Sequence, residues 1–218
     1  MRSAWRRSGW RTATAGVDIN YRVLVFAKSP LPGRVKTRLV PSLGEAGAAE
    51  LQRQLIERTL RTALAANLGA VELWCAPGVN DAYFSGCAER YGVSLHAQGE
   101  GDLGERMSRA LAAGAPGILI GCDCPVFSAE FLRAAAAALA GGNDAVFGPA
   151  EDGGYVLIGV GRSPPAQLFE DIAWGTAAVM QETRARLERL DWRWQELATL
   201  WDVDRPEDLQ RLRQLPAD

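Results

Sequence analysis

The segment AKSPLPGRVKTRL, residues 27–39, places Lys28, Arg34, Lys36 and Arg38 within eleven residues. Pro30 and Pro32 stiffen the approach, and Gly33 permits a tight turn. Cations on a constrained loop suit a polyphosphate, because each can donate a charge-assisted hydrogen bond to a phosphate oxygen. The spacing is not that of a Walker A loop, which needs Gly-x4-Gly-Lys-Ser/Thr. A solvated basic turn is the plainer alternative.

Asp123 lies in GILIGCDCP, where an apolar run delivers one carboxylate to its own end and Pro125 stops the run. A buried carboxylate is costly unless it meets a cation or hydrogen-bond donors. Magnesium held by one or two carboxylates and by substrate phosphates would relieve that cost. The alternative is an aspartate that caps the next turn.

Asp202 and Asp204 flank Val203, just before Arg205-Pro206-Glu207-Asp208. Two carboxylates at this spacing can share a metal. Yet Asp204, with Pro206 and Glu207 after it, also has the form of a helix start. Asp202 is therefore read as the ligand and Asp204 as the cap. Asp152 belongs to an Asp-Gly-Gly hairpin signal in GPAEDGGYVLIG. Beside a site it could serve as a base or meet a substrate hydroxyl. In QGEGDLGERM, the glycines ahead of a helix could admit a base or ribose near Gln98, Asp102 and Gly104, although Asp102 could equally be a helix cap. His96, the one histidine, falls in an expected strand and is read as structural, which argues against histidine-based nucleophilic catalysis.

The elements that must carry these groups alternate in type. Strands are expected at 21–27, 70–76, 93–96, 117–121, 144–147 and 155–160, with a further strand within 192–201. Helices are expected at 44–66, 80–91, 103–113, after Ser128 to residue 140, at 176–190 with Thr176 as N-cap, and after Asp204. The first helix repeats Leu51, Leu55, Leu60 and Leu64 near the helical period. Such alternation predicts a mostly parallel sheet covered on both faces, and the hairpin adds an antiparallel strand. Ligands of such sheets sit beyond the carboxyl ends of the strands, where the loops after residues 27, 121, 148 and 201 emerge.

Composition narrows the partners. A net charge of −2 gives no global attraction to nucleic acid or to a membrane surface. No apolar run is long enough for a membrane span. The four cysteines, Cys75, Cys87, Cys122 and Cys124, form no CxxC, so buried reduced thiols in a cytoplasmic protein are expected. Residues 1–20 are Arg-rich and lack the apolar core of a secretory signal, so they read as a disordered leader before one domain over 21–218.

Taken in order, FAKSPLPGRVKTRL, QGEGDLGERM, GCDCP, EDGGYVLIG, DIAWGT and DVDRPEDL resemble a bacterial family in the GT-A-type nucleotide-diphospho-sugar transferase superfamily. Its named members include glycosyltransferases linked to arsenosugar biosynthesis. The chain is also similar to the nucleotidyltransferases of molybdopterin and phospholactate chemistry. The resemblance runs from Phe26 to Leu209. It implies a Rossmann-like, three-layer α/β/α sandwich with a mixed sheet, and dependence on Mg2+ or Mn2+. It places the metal-binding acid at Asp123 and the phosphate loop at Arg34, Lys36 and Arg38. The family more often has serine where Cys122 stands and threonine where Arg205 stands.

The expected function is transfer from a nucleotide sugar to a small acceptor. A metal on Asp123 and Asp202 would hold the diphosphate, with Lys36 and Asp152 as the catalytic candidates. Nucleotidyl transfer from a triphosphate is the alternative, and a non-catalytic nucleotide-binding subunit is a third. All three require the basic loop and Asp123 to converge on one cleft. If the two lie on opposite sides of the molecule, or if Asp123 is tied up in an internal ion pair, the enzyme assignment collapses.

Overall fold

The computed structural model describes residues 20–215; the expected leader at 1–20 lies outside them except for Asn20. Seven strands form one sheet: β1 (Arg22–Lys28), β2 (Val71–Ala76), β3 (Ser94–Ala97), β4 (Gly117–Gly121), β5 (Ala145–Pro149), β6 (Tyr155–Val160) and β7 (Trp194–Glu196). Their order is β3-β2-β1-β4-β6-β5-β7. β6 runs antiparallel to both its neighbours, β4 and β5, and the remaining pairs are parallel. The sheet is thus mixed and mostly parallel, as the alternation predicts.

Burial explains the central strands. Residues 23–27 of β1 and 117–120 of β4 are buried, because helices cover both faces. The pleat sends alternate β1 side chains to opposite cores. Val23, Val25 and Ala27 join Ile56, Leu60, Phe84 and Leu132 on one face. Leu24 and Phe26 join Met107, Met180 and Leu187 on the other. The first face is covered by α1 (Val40–Ala66), α2 (Ala82–Tyr91) and α4 (Ala129–Ala140), and the second by α3 (Leu103–Ala112) and α5 (Val179–Arg189). Of the four leucines expected on the buried stripe of α1, three are buried and Leu64 is exposed. A kink at Gly44, with φ of 70°, separates the first residues of α1 from the rest.

A third, smaller core packs Leu39, Leu51 and Leu55 against Trp201, Val203 and Leu209. It joins the basic loop to the C-terminal segment and to α6 (Asp208–Arg213). Arg211 strengthens this end, lying over the Trp201 ring and pairing with Glu151.

Two expected caps are corrected. Helix α5 begins at Val179 without a side-chain cap, and Thr176 instead closes its own turn, donating to Ala173 O and accepting from Ala178 N–H. Asp204 does not cap α6. Helix α6 starts without a side-chain cap. Its first residue, Asp208, accepts from the N–H groups of Asp204 and Arg205 and closes the turn ahead of the helix, while the Asp204 carboxylate is drawn off by Arg38.

Candidate active site

A cleft of about 600 Å3 opens at the carboxyl ends of β1 and β4. The register brings the first two motifs together, since Phe26 pairs with Gly121 and the two following loops leave the sheet side by side. Lys28, Arg34, Lys36 and Arg38 line the cleft, and so do Asp123, Asp152, Asp202 and Asp204. Asp202 arrives from the far end of the chain by backbone pairing. Leu200 bridges Ala150 beyond β5, and the Val203 N–H donates to Asp123 O at 2.9 Å.

Lys36 adopts a left-handed backbone, with φ 46° and ψ 41°. That conformation is disfavoured for a residue with a Cβ and often marks a functional turn. Its side chain is 4% exposed, and Nζ lies 2.6 Å from Asp123 Oδ1. Nζ also donates to Val203 O at 2.6 Å. Burial pushes the Lys36 ammonium down, but the charge and hydrogen bond of Asp123 outweigh it, and the pKa is raised overall. Arg38 pairs with Asp204 at the exposed rim.

The ion pair that would count against the site is therefore present. Its partner, however, is a cation of the basic loop itself, and the Asp123 side chain stays 50% exposed in the cleft. The pair sits inside the candidate site and does not remove Asp123 from it.

Asp202 carries the strongest electrostatic signal. Burial, followed by the Asp123 and Asp152 carboxylates, pushes its pKa up to about 7, against the opposing pull of Lys36. Acids crowded in this way fit a divalent cation, which would relieve the repulsion. Among the described residues, no three His, Cys, Asp or Glu side chains gather closely enough to hold an ion alone. Two carboxylates are enough for Mg2+ where substrate phosphates and water complete its shell.

The thiols on either side of Asp123 are free and buried, and burial raises both, Cys124 to about 12. Such thiols are inert at neutral pH.

The family model "Uncharacterized protein conserved in bacteria (DUF2064)" matches residues 59–176, more than half of the chain. A solved protein of Desulfovibrio desulfuricans G20, assigned as a nucleotide-diphospho-sugar transferase, is 34% identical, with a TM-score of 0.79 over 89% of this chain and 87% of that one. The chain belongs to this family.

More distant structures share the fold. One is 4-diphosphocytidyl-2C-methyl-D-erythritol synthase from Anaerococcus prevotii DSM 20548, at 13% identity and TM-score 0.59, covering 91% of this chain and 98% of that one. Another is glucosyl-3-phosphoglycerate synthase from Mycobacterium tuberculosis, solved with Mn2+, UDP and glucosyl-3-phosphoglycerate, at 14% identity and TM-score 0.56, covering 95% and 81%. No curated protein matches.

The family's QGEGDLGERM segment is placed differently from the expectation. Gln98 lines the cleft, but its Nε2 donates to Ala27 O and Trp74 O, which ties β3 to β1 and β2. Asp102 and Gly104 are not among the residues lining the cleft. Asp102 forms a reciprocal capping box with Glu105 at the start of α3. Gly104 packs against Phe169 and Trp174, where a Cβ would come within 2.7 Å of the indole. Gly33 supplies a left-handed turn, with φ 71°, and does not line the cleft itself. Asp102→Ala should lower stability by about 1 kcal/mol, as a lost cap does, and leave nucleotide affinity unchanged. Thermal unfolding together with nucleotide titration checks this, and weakened nucleotide binding in a well-folded variant would return Asp102 to the site.

His96 stacks on Trp74 with centroids 5.0 Å apart, close to the buried Glu72 carboxylate that Arg22 and Trp74 hold. It is not among the cleft residues. Two cleft residues escaped the motif search. Gln52 is 4% exposed and donates to Cys122 Sγ; a lone amide next to the leucine stripe of α1 was its available signal. Trp174, in DIAWGT, was part of the resemblance but was given no role.

Proposed function

We propose that the chain is a metal-dependent transferase that takes a nucleotide sugar as donor. One observation carries this reading: four cations of a single loop and four aspartates from three distant segments line the same cleft. Lys28, Arg34 and Arg38 bind the diphosphate, and Lys36, seated among the aspartates, offsets negative charge as the leaving group departs. Asp123 and Asp202 would hold Mg2+ or Mn2+, which when bound supplies charge neutralisation on the phosphate oxygens. Asp152, exposed at the mouth of the turn, meets an acceptor hydroxyl and is placed to take its proton. The name of the 34% identical relative supports the sugar donor.

Nucleotidyl transfer is the second reading, favoured by the density of cations on the loop, since pyrophosphate is a highly charged leaving group. Incubation with Mg2+ or Mn2+ and a panel of nucleotide sugars and triphosphates separates the two. Release of a nucleoside mono- or diphosphate supports glycosyl transfer, and release of pyrophosphate supports nucleotidyl transfer. Binding without turnover, whatever acceptor is supplied, would overturn both in favour of a nucleotide-binding subunit.

A further inference from the structure

The cleft also has a lining that phosphate chemistry does not use. Besides the charged groups it includes Phe26, Leu103, Met107, Tyr155 and Trp174. Leu103 is 46% exposed in this lining.

Trp174 is fixed in that lining by packing against Gly104 and Tyr155. Its Nε1 is buried, and its Cζ2–Nε1 edge lies where a Cβ on Gly104 would be 2.7 Å away. Its ring meets the Tyr155 ring nearly at right angles, and Tyr155 in turn meets Phe147 edge-on. The segment that carries it is anchored at its other end to the Asp152 turn. Gly153, at φ 91°, lies so close to Ala177 that a Cβ would strike its carbonyl oxygen, and the Met180 N–H donates to Gly153 O at 2.9 Å. Two glycines thus clamp one strap between α3 and the β5–β6 turn. With its nitrogen turned into the protein, the indole can offer the cleft only ring carbon. Asp152 lies on the same strap-and-turn unit and faces the same cleft, with Oδ1 accepting from the Gly154 N–H.

Indole ring carbon and a carboxylate lining one cleft match a hydroxylated ring: C–H groups pack on aromatic carbon, and hydroxyls donate to the carboxylate. We propose that Trp174 is the specificity-determining wall of this cleft and seats the polyhydroxylated ring of a substrate, with Asp152 receiving its hydroxyls and Gly104 acting as a positioning residue. This deepens the transferase reading and rests on it. The same chemistry fits the sugar of a nucleotide sugar or a separate sugar-phosphate acceptor.

The test is calorimetry in magnesium buffer on wild type, Trp174→Ala, Trp174→Phe and Gly104→Ala. The ligands are UDP, GDP and ADP, their glucose or mannose conjugates, and glucose 6-phosphate added over saturating diphosphate. Trp174→Ala should weaken a sugar-bearing ligand about five- to tenfold, the scale of one lost aromatic contact, and leave the free diphosphates unchanged. Trp174→Phe should restore most of the loss, and Gly104→Ala should reproduce it by displacing the indole. Selective weakening of the conjugate places the donor's sugar on Trp174, and selective weakening of glucose 6-phosphate places the acceptor there. If Trp174→Ala does not fold, Trp174→Leu keeps more of the apolar packing without a ring and gives the same comparison. Equal weakening of free diphosphate and sugar ligands, or none, overturns the proposal. So does a wild type that binds diphosphates but no sugar-bearing probe, which leaves the transferase reading standing. A wild type that binds no diphosphate overturns that reading and this one together.

Discussion

Asp123→Ala is expected to lower kcat/KM for the nucleotide substrate by about 10²- to 10³-fold, the usual effect of removing one preorganised charge-stabilising group, and to abolish magnesium-dependent binding. The cause is double. The change removes a proposed cation ligand, and it strands Lys36, whose 4% exposed ammonium would keep only the Val203 carbonyl among its hydrogen-bond partners. Breaking a fully buried pair costs more than the pair is worth, because the remaining charge is left uncompensated. Asp123 is half exposed, so the stability loss is smaller, about 1–3 kcal/mol. Asp204→Ala is the internal control. It opens only the exposed Arg38 pair and should change stability by less than about 1 kcal/mol. Magnesium titrations with steady-state kinetics, and urea unfolding of the same samples, measure both effects. Magnesium-dependent binding that survives in Asp123→Ala would remove Asp123 from the proposed metal site.

Without divalent cations, raising the pH from about 4 to 7 should destabilise the protein through Asp202. In the folded chain this carboxyl holds its proton up to about 7, whereas its ordinary value is 3.8. Between those values the folded state binds more protons than the unfolded state, so stability falls as pH rises. The loss is on the order of a few kcal/mol. Glu72 and Glu196 work in the opposite sense. Burial raises Glu72, but hydrogen bonds from Arg22 and Trp74 outweigh it. Arg184 holds Glu196 down. Both are thus depressed below 4.5, and their stabilisation disappears as pH falls through the depressed values. Stability in chelator should therefore peak in mildly acidic solution. Millimolar Mg2+ or Mn2+ should recover the loss near pH 8, since an ion bound only by the folded chain stabilises it. Thermal melts across pH, with and without cation, test this. Asp202→Asn should flatten both responses, and an unchanged pH profile in that variant would remove Asp202 as their source.

The centre of the sheet was legible because β1 and β4 carry short continuous apolar runs, a pattern that two-sided burial explains. Asp123 was legible for the same reason, as a charge at the end of such a run. What could not be read was direction. The basic loop announces four cations but not that Lys36 turns inward through a left-handed backbone and meets the very acid it was expected to assist. Asp204 has the spacing of a helix cap, but its carboxylate pairs with Arg38, a cation 166 residues away. Gly104 shows the same limit. Next to a helix start it suggests an opening for a ligand, whereas the space beside it is taken by an indole from a segment seventy residues later. Such long-range choices are made by packing, which local spacing does not encode.

The backbone bond from Val203 to Asp123 has a consequence for how the protein is born. Synthesis proceeds from the amino end, and six of the seven strands precede residue 161. The nascent chain can assemble most of its sheet while Asp202 is still unmade. The cleft gains Asp202 and Asp204 only when the segment that carries them arrives, and the same segment closes the core over Leu39, Leu51 and Leu55.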